Sequence, residues 1–94
     1  MKSAMIDSLD YCYFCGSPRE AIHHVFPGSR RKASEKYGYI VPICHYCHTL
    51  GNYSVHMAPN IGKDLLLKRK AQWHFENHYG SRGDFIKIFL KSYL

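Results

Sequence analysis

The chain has no apolar run of membrane-spanning length, few acidic residues, and no repeat, linker or low-complexity stretch. Its longest apolar stretches, such as Tyr39-Ile40-Val41-Pro42-Ile43-Cys44, fall far short of the roughly 20 residues that cross a bilayer. No membrane partner is expected. Residues 1–10 carry one lysine and no apolar centre, so they do not read as a signal peptide but as a loose leader or short edge element. The expectation is a cytoplasmic, reducing setting. Only 7 Asp and Glu stand against 13 Lys and Arg, a formal charge of +6 with neutral histidines. That imbalance points to polyanionic partners, nucleic acid first.

A chain with 46% hydrophobic and 15% aromatic residues is too apolar to be disordered. At 94 residues, however, a domain buries a modest fraction of its surface, and such domains often need a further staple. The sequence reads as one domain over 1–94, with a core at about 11–60 and a helical tail at about 60–94.

The four cysteines supply the staple. They fall into two pairs, Cys12-Tyr13-Phe14-Cys15 and Cys44-His45-Tyr46-Cys47. Two intervening residues let a tight turn aim both sulfurs at one ion, and four thiolates form a closed structural zinc site. In a reducing compartment this outweighs disulfides. A redox CxxC would need one pair in a thioredoxin-like setting, and four unligated buried cysteines are the blander alternative. Gly16 follows the first pair where the turn calls for a positive φ. Tyr11, Tyr13 and Tyr46 are expected to pack around the ion.

Residues 37–43 are β-branched and aromatic and predict a strand stopped near Pro42; residues 21–26 predict a second, ended by Pro27-Gly28. Over residues 60–79, Leu67, Ala71 and Phe75 recur at helical spacing with Leu66 and Trp73 beside them, Asn60 as N-cap and Gly80 as stop. Ser81-Arg82-Gly83-Asp84 has the form of a capping box, and Phe85, Phe89 and Tyr93 follow at i, i+4, i+8, predicting a second helix running to the end. These stripes are expected to be core.

The pieces Cys12-Tyr13-Phe14-Cys15-Gly16, His23-His24-Val25 and Ile43-Cys44-His45-Tyr46-Cys47-His48, in that order and spacing, resemble the zinc-knuckle HNH endonucleases, the ββα-metal or His-Me finger nucleases. The resemblance covers about residues 11–60. It implies an α+β fold, a zinc-stapled, treble-clef-like ββα-metal core followed here by two C-terminal helices. It also implies metal-dependent hydrolysis of DNA phosphodiester bonds, by cleavage or nicking, leaving 5′-phosphate and 3′-hydroxyl ends. Carried over by position, His23 binds the catalytic Mg²⁺ or Mn²⁺, His24 is the general base, and His48 is a second ligand of the catalytic ion. The third ligand is Asn52, if the turn continues through Gly51, or His56, if a loop returns it. Imidazole suits the base role because it titrates near neutrality. Small members of this family are frequent in phages, so a phage origin is an expectation. The sequence departs from the family at Tyr39, where an Asn normally orients the base, and there is no Asn between Cys15 and Cys47. Either another residue or backbone fills that role, or activity has been lost.

Arg30, Arg31 and Lys32, directly after the histidine pair and extended by Lys36, are the expected contacts to the DNA backbone. Lys63 and Lys68-Arg69-Lys70 would lengthen that track, and the helical tail could make a homodimer. His45 reads as a solvated turn residue, and His74 and His78 as packing or solvated helix residues. Two other readings use the same residues: a non-catalytic zinc module that binds nucleic acid or protein, and a purely structural interaction domain, such as a phage inhibitor of a host system.

Overall fold

The computed structural model describes residues 2–94 as an α+β arrangement of two strands and three helices. Strand β1 (Ala21–His24) pairs antiparallel with β2 (Ile40–Ile43), in a register that sets Ala21 opposite Ile43 and His24 opposite Ile40. Between them lie a 3-10 turn (Gly28–Arg30) and a short helix α1 (Arg31–Lys36). Helix α2 (Gly62–His78) and helix α3 (Arg82–Phe89) complete the chain.

Pro42 does not stop the strand; it sits inside β2 opposite Ile22. Val25 donates its N–H to Tyr39 O at 3.0 Å. The alternation of an antiparallel ladder then leaves Pro42 at a position where no N–H is required. Its carbonyl faces outward and accepts the Tyr13 N–H at 2.8 Å, which ties the first cysteine turn to the sheet. The leader is likewise held: Ala4 N–H donates to Gly38 O at 2.7 Å and the Ser3 hydroxyl to Ile40 O at 2.6 Å. It forms no strand.

Helix α1 was not foreseen in the basic run. Its one buried residue, Ser34, anchors it, accepting from Phe26 N–H at 3.3 Å and donating to the Tyr39 carbonyl. The hydroxyl thereby satisfies backbone groups at both edges of the turn.

On α2 the Leu67, Ala71 and Phe75 stripe is buried as expected, but Leu66 and Trp73 are exposed, at 43% and 57%. The buried face is completed by Asp64, Lys68 and Gln72 rather than by apolar neighbours. Lys68 Nζ lies 2.8 Å from both Asp64 Oδ2 and Asn60 Oδ1. Asn60 is therefore not the N-cap. It takes a left-handed φ of 61°, its N–H donates to Asp64 Oδ2 at 2.6 Å, and Ile61 occupies the cap. At the other end Tyr79 caps the helix and Gly80 follows, its N–H donating to Phe75 O.

Helix α3 opens on the expected capping box. Asp84 N–H donates to Ser81 Oγ at 3.1 Å and Ser81 N–H to Asp84 Oδ2 at 2.9 Å. It stops short of the end, at Phe89, where Leu90 turns left-handed (φ 81°). Phe85 and Phe89 pack on Phe26, with ring centroids 5.7 and 4.3 Å away. Burial of each such ring contributes about 2–3 kcal/mol, so the tail closes the core over the sheet. No helix among the described residues is long and apolar enough to cross a membrane.

Candidate metal centres

The first cysteine turn is closed by Gly16 N–H to Cys12 O (3.0 Å) and Cys12 N–H to Ser17 O (2.7 Å), with Gly16 at φ 76°. A residue with a Cβ is disfavoured there. The second pair starts where β2 ends. All four cysteines are free thiols, and their sulfurs lie within 4.8 Å of one another, a group that could hold a metal ion. Cys15 and Cys44 Sγ are 3.5 Å apart. Hydrogen bonding with Ser17 lowers the Cys15 thiol from 9.0 to about 6, while burial raises that of Cys47 and Cys44 is raised as well, so Cys15 is the sulfur that most readily gives the thiolate metals bind. Tyr11 and Tyr46, expected around this group, are instead exposed at 59% and 63%. Tyr13 alone packs against the core.

After Cys47 the chain makes a wide π turn (Tyr46–Leu50), closed by Gly51 N–H to Tyr46 O at 2.9 Å. Such turns recur at functional sites. Gly51 then leaves the helix in an extended conformation, φ −72° and ψ 150°. A Cβ there would meet the Tyr46 ring at 2.9 Å, so a larger residue would have to displace that exposed ring. Because the turn ends here, Asn52 does not share the face of His48; it lies exposed in the loop. The loop instead doubles back, with Val55 N–H to Cys47 O (3.0 Å) and His56 N–H to His48 O (3.1 Å). That backbone pair brings His56 beside His48.

His23, His48 and His56 each present a ring nitrogen within 4.8 Å of the others. His48 and His56 Nε2 are 2.9 Å apart, and the His23 ring centroid lies 5.4 and 5.3 Å from theirs. Two nitrogens bound to one ion at about 2.1 Å would sit about 3.4 Å apart in a tetrahedral shell and about 3 Å apart in an octahedral one, so the spacing is near that of shared octahedral coordination. His23 is 4% exposed, and its Nε2 is buried without a protein hydrogen-bond partner. An orphan of this kind is costly unless something fills it. Burial, then the neighbouring His48 and His56, lowers His23 from 6.5 to about 4, while Asp64 pulls the other way. Burial lowers His48 too. His23 and His48 are thus both pushed toward the neutral imidazole, the form that binds a cation.

His24, the next residue on β1, places its Nε2 3.1 Å from Glu35 Oε2 on α1. It lines one cleft of about 250 Å³ together with His23, Pro27, Arg31, His48 and His56. Tyr39 is fully buried and its hydroxyl lies 3.1 Å from His74 Nδ1. The partner of His24 is Glu35, which the sequence reading missed. Its one local signal is that it is the lone acid in the basic stretch 30–36.

The basic residues divide. Arg31 lines the histidine cleft, Arg30 a neighbouring groove, and Lys32 a depression shared with Lys2, Glu35 and Lys36. The second basic run is not a continuous track. Lys68 is buried in its ion pair, Arg69 Nε donates to Tyr93 O, and Lys70 Nζ donates to Tyr13 Oη. Each is drawn to a nearer acceptor than a surface ligand. His45 is exposed, with Nδ1 3.1 Å from Glu20 Oε2, and His78 stacks on His74.

No protein-family model, no curated protein and no solved structure matches the chain.

Proposed function

We propose that the protein is a metal-dependent endonuclease that hydrolyses DNA phosphodiester bonds, built on a zinc-stapled ββα-metal, treble-clef-like core of the HNH kind. One observation carries the reading. Three imidazoles from separate segments, His23, His48 and His56, converge with a buried, partnerless Nε2 beside a fourth imidazole that is paired to a carboxylate. A structural role alone gives no reason to leave that nitrogen unpaired.

In this reading Cys12, Cys15, Cys44 and Cys47 hold zinc. Four thiolates and one Zn²⁺ leave the domain at about +4, still suited to a polyanion. His23, His48 and His56 would hold the catalytic ion, which would stabilise negative charge growing on the phosphate and leaving oxygen. A set of three imidazoles suits transition ions better than Mg²⁺, which prefers oxygen donors. Mn²⁺ is therefore the better fit of the two ions expected.

His24 donates Nε2–H to Glu35. That fixes the tautomer in which Nδ1 carries the lone pair, able to take a proton from an attacking water. Arg31, on the wall of the same cleft, is placed to hold the phosphate as a charge-assisted hydrogen-bond donor. Glu35 fills the role left open at Tyr39.

The test is incubation of purified protein with supercoiled plasmid at low salt, with Mn²⁺, Mg²⁺ or chelator, alongside His24→Ala. Cleavage that requires the ion and is lost in the variant is the expected result. Salt-sensitive retention of DNA without any cleavage would replace the enzyme with a binding module.

A further inference from the structure

The Pro27–Arg31 turn has two sides. Pro27 lines both the histidine cleft and a second groove of about 210 Å³, and the two arginines split between them, Arg31 to the cleft and Arg30 to the groove. The groove is completed by Phe89, Leu90, Lys91 and Tyr93 from the end of the chain. Leu90, in its left-handed conformation, ends α3, and the chain beyond it carries Lys91 and Tyr93 to the groove. The segment is fixed there by Tyr93 N–H donating to Gln72 Oε1 at 2.7 Å.

Three features define what this groove would take. Arg30 Nε is buried with no hydrogen-bond partner, and the partly exposed Arg30 side chain lines the groove with no acidic residue beside it to neutralise it. Lys91 is exposed and adds a second cation, its Nζ 5.1 Å from the Tyr93 ring centroid. No acidic residue lines the groove, and the remaining cation, Lys68, is already neutralised by Asp64. Two unneutralised cations beside the Tyr93 ring and the exposed Leu90 match a nucleotide unit, which offers a phosphate together with an apolar sugar or base face.

We propose that this groove is a phosphate subsite for the same DNA strand whose scissile bond lies at the histidines. Arg30 and Lys91 hold a flanking phosphodiester, and Tyr93 with Leu90 supports the adjoining sugar or base. The inference rests on the nuclease reading, which it extends by giving the strand a direction, across the Pro27 ridge toward the end of α3. It also assigns a binding role to the C-terminal segment, outside the part of the chain that resembles the nucleases.

The experiment separates this inference from the nuclease reading. Hydrolysis of bis(p-nitrophenyl) phosphate by the full chain, and its loss in His24→Ala, tests the chemistry with a substrate that has no flanking phosphodiester. Anisotropy of a labelled duplex oligonucleotide on the His24→Ala protein, across a salt series, tests the groove. Lys91→Gln, at an exposed position, and Arg30→Gln are added singly to that background. Each is expected to weaken binding about tenfold at low salt and to reduce the slope of log K against log salt by about one. An unchanged affinity and slope in Lys91→Gln overturns the subsite whether or not the small ester is hydrolysed. Were the ester untouched while both variants flatten the slope, the groove would stand as a DNA-binding site, and its part as a subsite beside a scissile bond would fall with the nuclease reading.

Discussion

His24 Nε2 and Glu35 Oε2 lie 3.1 Å apart, linking the second histidine of β1 to the only acid in the basic segment that follows it. Histidine is 8% exposed here while the Glu35 side chain is about half exposed, so the contact orients the ring more than it stabilises the fold. Glu35→Gln and Glu35→Ala are expected to lower kcat about tenfold or more with little change in KM or melting temperature, and His24→Ala by about a hundredfold or more. Glu35→Asp, which keeps the acceptor, should recover part of the loss. Equal rates for Glu35→Ala and wild type would remove Glu35 from the site.

The loop that returns His56 to His48 makes a separate claim about the third ligand. His56→Ala should weaken Mn²⁺ binding at least about tenfold, read by titration calorimetry on zinc-loaded protein, whereas Asn52→Ala should leave it unchanged. The reverse pattern would mean that the exposed loop closes differently when the ion binds. Mn²⁺ should also support faster cleavage than Mg²⁺, because the donors are nitrogen rather than oxygen.

Much of this centre was legible in the sequence, and the parts that were not share a cause. Spacing located both cysteine turns and the capping box at Ser81, because each is a short-range pattern, whereas the His23-His24 pair stood out only through the family resemblance and not by its own spacing. The choice between Asn52 and His56 depended on whether helix continued through Gly51; it does not, because Gly51 is extended and the loop returns through backbone hydrogen bonds from Val55 and His56 to Cys47 and His48. Glu35 was hidden because a charge run gives no hint that one of its members faces a strand. The exposure of Trp73 and burial of Lys68 were likewise unreadable. Lys68 is buried only because Asp64 and Asn60 meet it there, a tertiary fact that inverts the usual ranking of the two residue types.

The cysteine group should behave as the staple that a short core requires. Elemental analysis is expected to find one tightly held zinc per chain, and Cys47→Ser, at a buried ligand, should abolish the folded near-ultraviolet circular dichroism signal. Metal binding in such domains is folding free energy, on the order of 10 kcal/mol. A metal-free protein that retains native dichroism and melts cooperatively would contradict the assignment.

At the surface, the α3 cap supplies a pH dependence with a definite sign. The Ser81 backbone N–H, then the Ser81 hydroxyl, hold the Asp84 carboxyl below its ordinary value of 3.8. A group with a depressed folded pKa contributes stability above its unfolded pKa and loses it as pH falls through the folded value. Fraying of α3 is therefore expected only below about pH 4. Asp84→Asn should remove that acid-limb dependence, as followed by amide exchange at Phe85 and Ile86; an unaltered acid limb in the variant would place its origin elsewhere.

The Asp64–Lys68 pair lies between the fold and the site. Both side chains are buried, and the Asp64 charge acts on His23 against the effect of burial. Removing one partner strands the other charge in a low-dielectric setting, so Lys68→Met alone should destabilise the protein by about 3–5 kcal/mol, read from urea midpoints at fixed zinc. Replacing both, as Asp64→Leu with Lys68→Met, should restore much of that loss, because a buried ion pair gains little net free energy over well-packed apolar groups. The double variant should nevertheless bind Mn²⁺ more weakly than wild type, since a cation on His23, His48 and His56 would have lost the one buried carboxylate that acts on His23. Recovery of stability without that loss of affinity would show that the pair serves packing alone.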